Sequence, residues 1–512
     1  MYYSETFPPP SAIDTGFISK DFSSMTPEIL NRRKRKGVSA VDSGPYSNYR
    51  MAVRLELAQQ PGVFAQLATA LAEEGASVGA VDLISATKTT VIRDVTFDAQ
   101  SEEHGDRVLK RLHALPDVTV IAASDNIFMM HLGGKIRVDS KFPIKTRNTL
   151  SMVYTPGVGR VVKAIAEDHN KAYTFTSKQN SIAVVTDGSA ILGLGNLGPE
   201  AALPVMEGKV MLLHQFANID AWPLCLSTQD PDEIVQTVLA IAPGFGGINL
   251  EDISAPRCFE IERRLRDRLE IPLMHDDQHG TAVVILAALL NALKVTKRRL
   301  NQVKIVVVGL GAAGTACTKL LIQAGATSIL GCDKNGLVLD QPINILRECC
   351  QDLHTQIHYD RPTGTLQDAL EDAHVVIGLS SKNVLTPQDL AMMAKDSIVF
   401  ALANPDPEIS PQDATPYCQV YASGRSDYPN QCNNLLAFPG IFRGALNVQA
   451  KTINEAMLLA ASQALANLVP SSALNEEYII PSVFDKKVVS HVAKAVAKAA
   501  VEHNVARRQM KQ

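Results

Sequence analysis

Two stretches of this 512-residue chain run an apolar segment straight into a pair of acids: Gly246-Gly-Ile-Asn-Leu-Glu251-Asp252 and Pro272-Leu-Met-His275-Asp276-Asp277. Adjacent carboxylates are costly to bury unless positive charge lies between them. Three or four hard oxygen donors suit a divalent cation such as Mg²⁺ or Mn²⁺, which lowers their repulsion and leaves positions open for a substrate. His275 and His279 have zinc spacing, but Asp276 stands where the HExxH motif has Glu, so the oxygen set is the better metal reading. Solvated acidic loops are the plain alternative. Two lone groups also sit in unusual settings: the phenol of Tyr154 at the turn Tyr-Thr-Pro-Gly157, and the ammonium of Lys209 just after the strand-like Pro204-Val-Met. Taken singly, such residues are more often structural.

A second chemistry follows downstream. The β-branched run Lys304-Ile-Val-Val-Val308 ends in Gly309-Leu-Gly311-Ala312-Ala313-Gly314 and continues into a helical pattern. A lone GxGxxG says little, but strand, tight turn and helix are the context that a dinucleotide needs. Gly309 permits the turn, Gly311 lets the backbone approach a pyrophosphate, Gly314 lets helix and strand pack closely, and the helix N-terminus offers unpaired N–H donors. Asp333, about 20 residues on, is placed to hold a ribose 2′-hydroxyl. Lys334 beside it offsets part of the repulsion toward a 2′-phosphate, so NAD and NADP both remain open. His374-Val-Val-Ile377 and Ser397-Ile-Val-Phe-Ala-Leu402 read as further buried parallel strands.

Other elements must position these groups. From Tyr49 to Asn126 the period alternates in the order βαββαβ, with a helix carrying Phe64, Leu67, Ala68 and Leu71 beside Pro61 and a second helix turning Val108, Leu109 and Leu112 inward. This ferredoxin-like unit resembles an ACT domain, a small regulatory module that often binds amino acids at a paired interface. Members of that family often carry Asp or Asn just before Pro-Gly, where this chain has Gln59-Gln60-Pro61-Gly62, so a module that only dimerises is the alternative. Phe484, Val488, Val492, Ala495 and Val496 recur at helical spacing near the C-terminus.

The segments SMVYTPGVG, VVTDGSAILGLGNLG, PVMEGK, GGINLEDI, HDDQHGTA, GLGAAG, ALANPDPEI, GRSDYPNQCNN and FPGIFRGAL, in this order from about Lys135 to about Leu465, resemble the malic enzyme family in its shorter bacterial form. The resemblance implies metal-dependent oxidative decarboxylation of L-malate to pyruvate and CO₂ with reduction of NAD or NADP. It implies Glu251, Asp252 and Asp277 as ligands of Mg²⁺ or Mn²⁺, and Tyr154 and Lys209 as an acid–base pair supported by Asp276. Lys209 or Asp276 would take the hydroxyl proton, the lysine with its pKa lowered by burial or a nearby cation, and Tyr154 would protonate C3. Asn404, Asn433 and Asn434 match positions that contact cofactor or substrate. Larger eukaryotic members carry an Arg before ILGLG where this chain has Ala190, so the distal malate carboxylate needs another partner, with Lys178 and Arg425 as candidates.

The expected fold class is α/β: a flexible leader (1–48), a ferredoxin-like ACT-type module (49–130), a substrate and metal α/β domain (131–296), a Rossmann-type dinucleotide-binding domain (297–470) and a C-terminal helical segment (471–512). With 49 basic against 53 acidic residues, net −4, nothing favours a nucleic acid or a membrane surface. The longest apolar stretch, Ala282 to Leu290, is short of the ~18 residues of a membrane span. Sparse cysteines without Cys-x-x-Cys spacing, an adjacent Cys349–Cys350 pair read as free thiols, and an N-terminus unlike a secretory signal point to the cytoplasm. The basic run Arg32 to Lys36 reads as a solvated arm. The expected partners are L-malate, a small-molecule effector at the ACT-type module, and further copies of the chain in a homo-oligomer. A plain malate dehydrogenase, an oxaloacetate decarboxylase and an amino-acid sensor with an inactive body are the alternatives.

Overall fold

The computed structural model describes residues 49–334, 336–337 and 364–509; the leader with its basic run, and Cys349 and Cys350, lie outside the described residues. The chain divides into two units, Met1–Lys135 and Ile136–Gln512.

In the first unit, β1 (Tyr49–Ala58), α1 (Val63–Glu73), β2 (Ser77–Ala86), β3 (Thr90–Ala99), α2 (Glu102–His113) and β4 (Val118–Asp125) form one antiparallel sheet in the order β2-β3-β1-β4 with two helices on it. The strict alternation of β1 buries Val53, Leu55 and Leu57, and turns Arg50 and Arg54 onto the other face, where they pair with Asp98 and Asp94 directly across β3. Ser101 caps α2 by accepting from the His104 N–H, with Glu102 and Glu103 in the first turn and Lys110, Arg111 and His113 in the last, matching the helix dipole. The buried face of α1 is Val63, Leu67, Ala70 and Leu71. Phe64 and Ala68 are a step out of phase with that stripe, and Phe64 lies exposed under the Arg93 guanidinium, 5.4 Å from its ring centre.

The second unit holds two sheets. In the first, β5 (Ser181–Thr186), β6 (Asp220–Cys225), β7 (Gly247–Leu250) and β8 (Leu273–His275) run parallel in the order β6-β5-β7-β8. Strands β5, β7 and β8 are buried along their whole length, which explains their unbroken apolar character. The helices α4 (Arg147–Val153), α5 (Val158–Glu167), α6 (Pro199–Ala217), α7 (Pro231–Ile241) and α8 (Arg257–Arg266) follow in this region, after a short α3 (Asn126–His131) that closes the first unit. Lys209 belongs to α6, where the sequence suggested a strand before it. A short apolar run reads alike in either state, and here Ala202, Met206, Val210 and Leu213 face inward at helical spacing.

The long helix α9 (Asp276–Val295) meets the length and composition of a membrane span, which the length of the Ala282–Leu290 stretch alone did not suggest. Its middle, Ala282 to Leu289, is buried in one core cluster with Ile182 of β5 and with Ile305 of the next sheet, as in a core helix shared by two sheets. That sheet comprises β9 (Lys304–Val308), β10 (Ser328–Asp333), β11 (Gly336–Leu337), β12 (Val375–Gly378), β13 (Ile398–Ala401) and β14 (Val420–Ser423), with α10 (Ala312–Gln323) after β9. Its order, β11-β10-β9-β12-β13-β14, is the doubly wound 3-2-1-4-5-6 arrangement, parallel except for the two-residue β11. The unit closes with α11 (Phe438–Asn447), α12 (Glu455–Asn467) and α13 (Lys487–Glu502). Gly440 and Gly444 let α13 approach: a Cβ on either would stand 2.6 Å and 2.8 Å from the Cβ atoms of Val492 and Val496. Phe484 precedes α13 and is exposed, so the inward face is Val488, Val492 and Val496 together with Ala493 and Ala497.

Candidate active site

In parallel sheets, ligand groups gather beyond the carboxyl ends of the strands. Glu251 and Asp252 follow β7 directly, and Asp276 and Asp277 leave β8 to open α9, where the helix N-terminus favours negative charge. Glu251, Asp252 and Asp277 each present a carboxylate oxygen, all within 4.8 Å of one another. Asp252 adopts a left-handed conformation (φ 53°), and its N–H donates to Asp277 Oδ2 at 2.8 Å, so the turn itself draws the two acids together. Lys209 reaches this cluster from α6: its Nζ pairs with Glu251 Oε1 at 3.0 Å and with Asp276 Oδ2, and lies 4.4 Å from the centre of the Phe438 ring. Asn249 Nδ2 donates to Glu251 Oε2 at 2.8 Å.

One ammonium faces four carboxylates. Burial, reinforced by the Asp277 charge, pushes Asp252 up to about 7, and burial raises Glu251 as well. Burial likewise raises Asp276, to about 6, despite its ion pair with Lys209, because that ammonium is shared. For Lys209, burial acts to lower the pKa, but Asp276, Glu251 and Asp277 together outweigh it and hold the group charged. Burial thus acts on Lys209 in the expected direction, and a divalent cation held by the same carboxylates would offset the charge that outweighs it. Asp252 Oδ2 and Asp276 Oδ1 are buried with no hydrogen-bond partner. Excess negative charge, orphaned oxygens and an all-oxygen triad together fit a hard divalent cation.

The sign of this electrostatics is testable. An acid whose pKa is higher in the folded chain binds more protons there, so its contribution is fully present below the unfolded value, 3.8 for Asp252, and is lost as pH rises through the folded value, about 7. The metal-free protein should melt at a lower temperature at about pH 7.5 than at about pH 5, and Mn²⁺ should raise the melting temperature more at the higher pH. Melting curves with and without chelator measure this, and a metal effect that is the same at both pH values would contradict it.

Further partners were not singled out from the sequence. Asp187, fully buried just after β5, accepts from Ser189 N and Oγ at 3.0 and 2.6 Å and from Arg257 Nη2 at 3.2 Å. Ser254 N donates to Ser189 Oγ at 2.9 Å and Ala190 N to Asp252 O at 3.0 Å, tying the loop after β5 to the acidic turn. Its signal was the same apolar-run-into-acid pattern, in Val-Val-Thr-Asp187. Glu408, also fully buried, accepts from Ser380 N at 2.8 Å and Ala403 N at 3.0 Å, bracing the loops after β12 and β13.

At the dinucleotide end, Gly309 has φ 95° and packs against Leu379 and Ser380 beyond β12, and a Cβ on Gly314 would collide with Gly309 O. Gly311 caps α10, and Ala312 and Ala313 form its first turn, with backbone N–H groups free of helical partners by position. Asp333 ends β10 and is half-buried. Asn404 lies beyond β13, and a Cβ on Gly193, in the loop after β5, would stand 2.9 Å from its carbonyl oxygen, so the strand ends of the two sheets meet here. Asn434 approaches α9 at Gly280, its Cβ 3.3 Å from a Cβ built there, whereas Asn433 uses its side chain to accept from Leu435 N at 2.9 Å.

The remaining expected residues stand apart. Tyr154 caps the end of α4, is 67% exposed and makes no hydrogen bond to Lys209. No residue of α4 or α5 is buried. Lys178 gives its ammonium to the carbonyls of Ala242, Pro243 and Phe245 at 3.2, 3.0 and 2.6 Å, and burial lowers its pKa to about 8. Its three protons are committed, which corrects its expected substrate role. Arg425 binds both oxygens of Asp427 and the Pro405 carbonyl, with part of its guanidinium left over.

Family profiles match in chain order: "ACT domain" over 46–122, "Malic enzyme, N-terminal domain" over 133–266 and "Malic enzyme, NAD binding domain" over 278–501. The NAD-dependent malic enzyme of Geobacillus stearothermophilus is 51% identical over 90% of this chain and 96% of that protein. The bifunctional malic/malolactic enzyme of Bacillus subtilis (strain 168) is 51% identical over 73% of this chain and 92% of that protein. The crystal structure of malic enzyme from Pyrococcus horikoshii Ot3 superimposes with a TM-score of 0.69 at 45% identity, covering 74% of this chain and 89% of that one. Identity sustained across an acidic turn, a doubly wound sheet and the module before them leaves one reading of descent: the chain belongs to the malic enzyme family.

Proposed function

We propose that this protein oxidises and decarboxylates L-malate to pyruvate and CO₂ while reducing NAD⁺ or NADP⁺. The observation that carries the proposal is the buried cluster of Glu251, Asp252 and Asp277 with Lys209 and Asp276 beside it. The names of the relatives, NAD-dependent and NADP-dependent malic enzymes among them, support the substrate and both cofactors. Glu251, Asp252 and Asp277 would hold a divalent cation, which when bound supplies Lewis-acid polarisation at the C2 oxygen. With that cation taking up the carboxylate charge that otherwise keeps it protonated, Lys209, oriented by Asp276 and Glu251, would be free to take the C2 hydroxyl proton as hydride passes to the nicotinamide. Asn434 and Arg425 orient the carboxylates, and the first turn of α10 seats the pyrophosphate. Tyr154 protonates C3 once CO₂ has left.

Tyr154 lies beside exposed Leu150, Met152, Val153, Val158 and Val162, a surface that supports a homo-oligomer in which these helices are covered. The ACT-type module supports a small-molecule effector, and the free thiols of the described cysteines support a reducing, cytoplasmic setting. The purified chain with L-malate, Mn²⁺ and either cofactor should generate reduced nicotinamide and pyruvate, followed by absorbance and product assay. A folded protein that reduces neither cofactor would overturn the proposal in favour of a sensing role.

A further inference from the structure

We propose that a cavity of about 210 Å³ between α8, α9, α10 and α12 is a binding site for a small oxyanion, a carboxylate or a phosphate. Arg263 and Arg266 of α8 and Lys319 of α10 line it, against the acids Glu262 and Glu455. Glu262 is already satisfied, accepting from Arg266 Nη2 at 2.6 Å and meeting His279 Nε2 at 2.7 Å, and these two neighbours hold its pKa low against its burial. Glu455 stands only 3.7 Å from Arg266 Nη1, and Arg263 has only the exposed Asp267 at 3.7 Å. Lys319 has no ion pair among the described residues. The lining therefore carries an excess of positive charge.

A second, independent observation concerns donors. Gln278, 97% buried (3% exposed), and Arg266 both line the cavity, and Gln278 Nε2 and Arg266 Nε are buried without an acceptor. Such donors cost free energy where they stand, closed off from the cavity; a rotation of either side chain turns them into it, where an oxyanion brings several acceptors with the charge that the arginines and lysine lack. None of these side chains belongs to the acidic cluster. Gln278 and His279 nonetheless follow Asp277 directly, so an occupant here bears on the turn that opens α9.

Calorimetric titration of the full chain with inorganic phosphate and, separately, with succinate tests the site, with chelator present so that the acidic cluster repels both. Saturable binding of at least one anion is expected, weakened at least tenfold in the Arg263→Ala/Lys319→Ala double variant, whose kcat on malate stays at the wild-type value. Phosphate without succinate marks a phosphate ligand, and the reverse marks a carboxylate. If the double variant does not melt like the wild type, Lys319→Gln takes its place with at least threefold weakening expected. No saturable binding of either anion, or undiminished binding in the folded variant, overturns the site. The titration needs no turnover, so its failure is distinct from failure of the malate reading.

Discussion

Replacing Lys209 with alanine should lower kcat by about 10²–10⁴-fold, the range over which a positioned acid or base contributes to proton transfer. Among the described residues Lys209 is the one cation paired with Glu251 and Asp276. The same substitution removes a positive charge that competes with a metal for these oxygens. Mn²⁺ affinity should therefore hold or rise while turnover collapses. That split separates a proton-transfer role from a merely structural one, which would lower both. Steady-state kinetics beside metal titration measures it, and a variant that loses metal binding together with activity would show that Lys209 assembles the site instead of acting in it.

Asp277→Asn should do the opposite to metal binding. Asp277 supplies one of three clustered carboxylates, and the loss of a direct ligand should exceed the 10–100-fold that changes to outer partners typically cost. In the metal-free chain, however, the substitution relieves a repulsion that helps push Asp252 up to about 7. Stability without metal should then rise, on the order of 1 kcal/mol, and the gain should be larger above pH 7 than at pH 5. Loss of metal-dependent activity with gain of metal-free stability is the pattern of a site whose charges are kept for function. Calorimetric melting and kinetics on one preparation test both signs, and a variant destabilised without metal would contradict the repulsion argument.

Much of this was legible in the chain because the signals are local. An apolar strand that ends in acids announces a buried negative cluster, and Gly309-Leu-Gly311 announces a turn that only glycine tolerates at φ 95°. The βαββαβ order of the first unit follows from alternation that burial enforces, as at Val53, Leu55 and Leu57. What depended on distant partners was not legible. The run before Lys209 reads as strand until Met206 and Leu213 are seen to face one core from a helix, and Lys178 stands as a candidate for the distal carboxylate until the carbonyls of Ala242 and Phe245 are seen to close on it. Phe64 misled because an aromatic ring reads as core, although a neighbouring Arg93 suits it equally well at the surface. The exposure of Tyr154 depends on what covers α4 and α5, and one chain cannot specify that.

The most direct measurement is the ratio of CO₂ released to nicotinamide reduced, using L-malate labelled at C4, with Mn²⁺ and then with chelator. Oxidation followed by decarboxylation at one site requires one labelled CO₂ for each NADH or NADPH, both lost when the metal is removed. Reduced nicotinamide without labelled CO₂ would mark a plain malate dehydrogenase, and turnover that survives the chelator would contradict the role assigned to Glu251, Asp252 and Asp277.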